Sequence, residues 1–140
     1  MRNMYEIFDE VDAAKSKADK KTIIGRNLSP TLVKVLEYTY HPKYQWLVKE
    51  LPHNFKFPDV PAGMSYAHLG TELRRLYLFE KGHPTAEKMS QAKRMELLFS
   101  LLNSLHPREA EVVMGIFNKD LGVNGINYKT VKEWFPGMLP

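Results

Sequence analysis

Three features of the sequence predict an all-α fold. Apolar residues recur at three- and four-residue spacing in most segments, the period of one buried helix face. The breaks between segments carry helix-end signals: Ser29-Pro30, His41-Pro42, His83-Pro84 and His106-Pro107. No stretch alternates apolar and polar residues long enough to read as a strand. The 140 residues fit one domain. A chain of that length buries roughly two thirds of its unfolded surface without a disulfide or metal staple.

The elements follow in order. Met4, Ile7, Phe8 and Val11 share a face, so the first dozen residues predict an amphipathic helix. A second, short helix spans Ala18 to Arg26 with Ile23 and Ile24 turned inward. Ser29 caps a third, and Pro30 suits its first position because proline lacks the N–H that would be orphaned there. Leu32, Val33, Leu36 and Tyr40 line its inner face. His41-Pro42 ends it, since proline drives the preceding residue out of the helical region. Tyr44, Leu47, Val48 and Leu51 predict a fourth short helix.

Pro52 to Gly63 (PHNFKFPDVPAG) is proline-rich and predicts an extended surface loop. Ser65 then caps a helix carrying Leu69, Leu73, Leu76, Tyr77 and Phe79, which Lys81-Gly82 stops. After Pro84 a long helix runs to about Leu105, its apolar face Met95, Leu98, Phe99, Leu102 and Leu105. Pro107 opens a helix through Val112, Val113, Ile116 and Phe117. The tail holds a glycine-containing turn, an Asn127 cap, a last helix with Val131 and Trp134, and a Pro-Gly stop. The expectation is about eight short helices around one core, with residues 1–140 as a single domain.

Most chemistry is excluded by residue type. With no cysteine, disulfides, thiolate metal sites and cysteine nucleophiles are ruled out. His41, His83 and His106 precede prolines and read as helix boundaries. With His53 and His68 they offer no i, i+4 pair and no HExxH, so no metal site is expected. Carboxylates such as Asp9, Glu10 and Asp12, or Glu109 and Glu111, sit among basic residues in the pattern of solvated helix faces. No GxxxxGK[ST], GxGxxG or GxSxG is present, so neither a catalytic site nor a cofactor is expected. No apolar run approaches the roughly 18 residues of a spanning helix, and the N-terminus meets acids too early for a signal peptide. No membrane partner is expected.

The formal charge is +4. Residues 1–52 carry net +2, residues 53–95 net +3 and residues 96–140 net −1. No dense basic block exists, so the charge permits a polyanionic partner without requiring one.

Two stretches sharpen this. KKTIIGRNLSPTLVKVLEYTYHPKYQWLVKELP (Lys20 to Pro52) resembles the early part of the N-terminal DNA-binding domain of phage-type ATP-dependent DNA ligases. NKDLGVNGINYKTVKEWFPGMLP (Asn118 to Pro140) resembles the end of that domain: Asp-Leu, a glycine-containing turn, a short helix, then an aromatic-Pro-Gly-Met-Leu-Pro close. Residues 53–107 match only as helices. The chain is also similar to small proteins of tailed phages, including those infecting cyanobacteria.

The resemblance implies a helical domain that grips duplex DNA across the minor groove, mainly at phosphates. Carried over, the turn becomes Asp120, Leu121, Gly122, Val123, Asn124 and Gly125, its backbone amides near phosphate or sugar. Lys119, Asn127 and Lys129 flank it, and Lys20, Lys21 and Arg26 match the basic early helix. Many relatives carry Arg after the Asp-Leu pair where this chain has Gly122, and the turn here is one residue longer. The nucleotidyltransferase Lys-x-Asp-Gly motif is missing, and the chain stops where a ligase would continue into its catalytic domain. The expectation is a non-enzymatic, stand-alone phage accessory protein acting on duplex DNA in the cytoplasm of an infected bacterium.

A second reading takes the scaffold as a protein-interaction module for a host or phage replication or transcription protein. Its residues would be Phe55, Phe57, Met64 and Tyr66, aromatic and apolar side chains in the proline-rich loop.

Overall fold

A computed structural model describes residues 2–49 and 67–140 of the chain. Helix α1 (Met4–Ala13) buries Met4, Ile7, Phe8 and Val11, the stripe the spacing predicts. Helix α2 (Lys17–Arg26) starts at Ser16, whose hydroxyl accepts from Asp19 N–H, and buries Ile23 and Ile24. Helix α3 (Pro30–Tyr40) begins at Ser29 as expected, the hydroxyl accepting from Leu32 N–H at 3.1 Å. Its inner face differs by one residue: Val35, not Val33, lies with Leu32, Leu36 and Tyr40 in the core.

The fourth expected helix, Tyr44 to Leu51, is not formed over its described part. Residues 44–49 run extended, and Trp46 bridges antiparallel to Glu80. Leu47 N–H donates to the Phe79 carbonyl at 2.8 Å, and Lys81 N–H to the Gln45 carbonyl at 2.7 Å. The physical reason lies in which side chains are buried. Trp46 and Val48 are the residues buried here, and residues two apart share a face only in an extended chain. The indole then packs against Tyr38, Tyr44 and Phe117, at ring-centroid distances of 5.4, 6.1 and 5.4 Å.

Helix α4 (Leu69–Glu72) passes directly into a 3₁₀ segment, Leu73–Phe79. Leu73, Leu76 and Phe79 are buried and spaced by three, the repeat of a 3₁₀ turn. Tyr77, expected on the inner face, is exposed. The Ser65 cap lies outside the described residues.

The single long helix expected after Pro84 is two. Helix α5 (Pro84–Glu87) is one turn, and α6 (Gln91–Ser104) begins afresh at Ser90, whose hydroxyl accepts from Lys93 N–H. Arg94 fixes the break by donating to the carbonyls of Ala86 and Met89, at 3.0 and 3.3 Å. Leu98, Leu101, Leu102 and Leu105 face inward; Met95 and Phe99 are half-buried.

Helix α7 (Pro107–Phe117) is the axis of the fold and packs on α1, α3 and α6. It buries residues nearly all round, as a central helix must: Ala110, Val112, Val113, Met114, Ile116 and Phe117. Helix α8 (Tyr128–Trp134) starts at Asn127, whose side chain accepts from Thr130 N–H, and seats Val131. One hydrophobic cluster runs from Met4 to Leu139. The described residues are thus all-α with two isolated β-bridges and no strand.

Candidate nucleic-acid interface

The site predicted from the tail is built by the segment joining α7 to α8. Lys119 holds a left-handed backbone conformation, φ 61°, which turns the chain back after α7. Its side chain crosses to the end of α3, where Nζ donates to the carbonyls of Tyr38 at 3.1 Å and His41 at 2.8 Å. The last carbonyls of a helix lack intrahelical partners and carry its negative end, so a lysine there is a structural cap. Burial, and then the neighbouring charge of Lys49, push the Lys119 ammonium down to about 8.

The turn is held by hydrogen bonds within itself and to the body. Asp120 accepts from Gly122 N–H at 2.9 Å, and Asp12 from Asn124 N–H at 2.8 Å. Tyr40 takes Leu121 N–H at 3.4 Å and donates its hydroxyl to the Ile126 carbonyl at 3.2 Å. Burial, above all, raises that phenol to about 12. Thr130 donates to the Gly125 carbonyl at 2.9 Å. The amides of Gly122 and Asn124 therefore already serve protein carboxylates and have no N–H to offer a phosphate.

Lys20, matched to the basic early helix, is also internal. It is buried, and its Nζ donates to the Val11 carbonyl at the end of α1, at 2.7 Å. Its methylene stem lies across Gly125, so the early helix and the closing turn are in direct contact. Arg26 is exposed and pairs with Glu10 at 2.7 Å, an acid that also holds Arg2 at 3.0 Å. Asn127 is occupied as the α8 cap.

The other two predicted cations, Lys21 and Lys129, are also on the surface, and the fold brings them together. Both stand near Glu133, joined by Lys17, which the sequence reading had not singled out. The ion pair with Lys17, and then the fields of Lys129 and Lys21, hold the Glu133 carboxyl below the usual carboxylate range. Three lysines thus share one acid where α2 meets α8. Beside them the half-buried ring of Trp134 lines a shallow cleft of about 390 Å³ with Lys17, Ala18, Lys21 and Glu133. Helical spacing carried the signal: Lys17 and Lys21 are four apart on α2, as are Lys129 and Glu133 on α8.

The histidine boundaries take the roles the prolines suggest. His83 and His106 cap α5 and α7, accepting from the N–H groups of Thr85 and Arg108. Among the described residues no three acids or histidines gather as metal ligands, and no helix is long and apolar enough to cross a membrane. Phe55, Phe57, Met64 and Tyr66 lie outside the described residues.

A family model described as a family of unknown function, DUF6433, matches residues 7–123, from the first helix to the closing turn. The chain belongs to the DUF6433 family. No curated protein matches it. Within this DUF6433 member the matched span contains Lys17, Lys20, Lys21, Lys119 and Gly122. Gly125, Lys129, Glu133 and Trp134 lie beyond it, so only the α2 half of the lysine cluster belongs to the family pattern.

The position of Lys119 makes a stability prediction. Lys119→Met should cost about 2 kcal/mol at pH 7, because two carbonyls lose a charge-assisted donor. Between about 8 and the ordinary lysine value of 10.5 the unfolded chain binds more protons here than the folded one. Native stability contributed by this group therefore rises with pH through that window. A neutral amine keeps two N–H groups for the two carbonyls. The wild-type advantage over Lys119→Met in urea unfolding should accordingly widen from pH 8 to pH 10; an advantage that shrinks would show that the charge itself carries the contact.

Proposed function

We propose that this DUF6433 protein is a non-enzymatic accessory protein that binds duplex DNA through backbone contacts, at the junction of α2 and α8. The observation that supports it is the convergence of Lys17, Lys21 and Lys129 on a single acid beside Trp134. Clustered lysines meet phosphates as point charges, and an aromatic face beside them offers a surface for sugar or an unpaired base. The resemblance of both stretches to the gripping domain of phage-type ligases favours duplex DNA over other polyanions. It also favours a phage protein acting inside an infected bacterium. Contacts of this type position a protein without reading sequence.

Fluorescence anisotropy with a labelled duplex, titrated across potassium chloride, tests the reading. Binding should be insensitive to sequence and weaken steeply with salt, log K against log salt having a slope of roughly −3 for three phosphate contacts. Absence of binding at micromolar protein in low salt would sink the proposal.

A further inference from the structure

A second cleft, of about 630 Å³, opens on a different part of the molecule. Its walls come from the start of α1, the start of α3, α4 with the 3₁₀ segment, and the start of α7. That volume lies within the range of small-molecule sites. Gly70 shapes one wall: a Cβ there would stand 2.7 Å from the Thr31 hydroxyl, so glycine leaves that hydroxyl its place between α3 and α4.

Glu109 lines the cleft and is its unusual feature. It is 4% exposed. One carboxylate oxygen accepts from Tyr5 N–H at 3.3 Å; the other, Oε2, is buried with no hydrogen-bond partner among the described residues. Burial pushes the carboxyl above its ordinary range, the amides of Tyr5 and Met4 offset part of this, and Glu6 adds to it. A buried, half-satisfied carboxylate destabilises a fold unless something supplies the missing donor.

The other walls say what that donor belongs to. The His106 ring in the wall is stacked on Tyr5 at 4.9 Å and 14°. Arg74 is exposed, and no carboxylate pairs with it among the described residues, whereas its neighbour Arg75 is paired to Glu72 at 3.0 Å. The cleft therefore combines a buried acceptor with an exposed guanidinium suited to a phosphate. A ligand that meets both groups carries an N–H edge and a phosphate, and a free amino acid lacks the phosphate.

We propose that this cleft binds a nucleoside 5′-monophosphate, with an N–H edge of the base on Glu109 and the phosphate on Arg74. The nucleotide is either free or the 5′ end of a strand. The residues are separate from the lysine cluster, so the inference stands independently of the duplex reading.

Calorimetric titration of the full chain with GMP tests it, alongside guanosine, inorganic phosphate and a tetranucleotide bearing or lacking a 5′-phosphate. GMP should bind saturably, with guanosine and phosphate each weaker by about tenfold or more. Arg74→Ala should weaken GMP by about tenfold and leave guanosine unchanged; Glu109→Gln should weaken both. A tetranucleotide that matches GMP only when phosphorylated assigns the site to strand ends, and preference for GMP assigns it to the free nucleotide. No saturable binding of GMP at millimolar concentration, or wild-type affinity in Arg74→Ala, would overturn the proposal. Arg74 is exposed, so its variant keeps the test decisive even where Glu109→Gln perturbs folding.

Discussion

Replacing Lys17, Lys21 and Lys129 together by glutamine should lower duplex affinity by roughly 10²–10³-fold at about 50 mM salt. The salt slope should flatten by roughly 2.7, from the loss of three phosphate-neutralising charges. The same triple variant should unfold almost where the wild type does. The ion pair it loses among the described residues, Lys17 with Glu133, is exposed on both sides, and exposed pairs contribute little to stability. Lys20→Met gives the opposite pattern. It removes a buried donor from the Val11 carbonyl, so it should lower stability and leave the salt slope unchanged. Circular dichroism and anisotropy on the two variants separate the roles. A triple variant with an undiminished slope would move the DNA contact away from α2 and α8.

That contrast shows what the sequence could and could not reveal. Caps are local chemistry, so Ser29, Asn127 and the His-Pro pairs marked α3, α8, α5 and α7 correctly. The break between α5 and α6 was equally local, in Ser90, yet the apolar spacing through Leu105 masked it. Residues 44–49 were ambiguous by nature. Tyr44, Leu47 and Val48 satisfy a helical spacing, Trp46 and Val48 an extended one, and the choice fell to partners at Phe79 and Glu80 far along the chain. A window that short does not decide between the two periods.

The site was legible as regions and not as individual side chains. Composition marks a lysine as charged, but whether its ammonium meets solvent or a helix end depends on which helix passes within reach. Lys20 and Lys119 end on the carbonyls of α1 and α3, contacts spanning 9 and about 80 residues of sequence. Lys21, one residue from Lys20, points outward because adjacent helical positions face different ways. The sequence places Glu109 on a solvated face, and its burial follows from α1 lying against α7.

Gly125→Ala is expected to cost about 3 kcal/mol, from two separable sources. Gly125 has φ 89°, where an L-residue is strained by roughly 1–2 kcal/mol. An added Cβ would also collide with Cδ of Lys20 and stand 2.8 Å from its Cε. A surface lysine would swing aside, but this one is buried and anchored at its tip on the Val11 carbonyl. The methyl therefore displaces either that charge-assisted bond, worth about 1.5–3 kcal/mol, or the turn. A double-mutant cycle with Lys20→Ala distinguishes the terms. With the lysine stem gone, Gly125→Ala should cost only the backbone strain, leaving a coupling of about 1–2 kcal/mol. Gly122→Ala is the reference: φ is 69° and nothing lies within 4 Å of its Cβ position, so strain alone should register. Additive costs at Lys20 and Gly125 would mean the stem yields freely, and the turn would then not be locked to α2 through this contact. A coupled cycle instead makes this glycine–lysine contact the joint that sets α8 against α2. Gly125→Ala should then weaken duplex binding without touching a single exposed lysine.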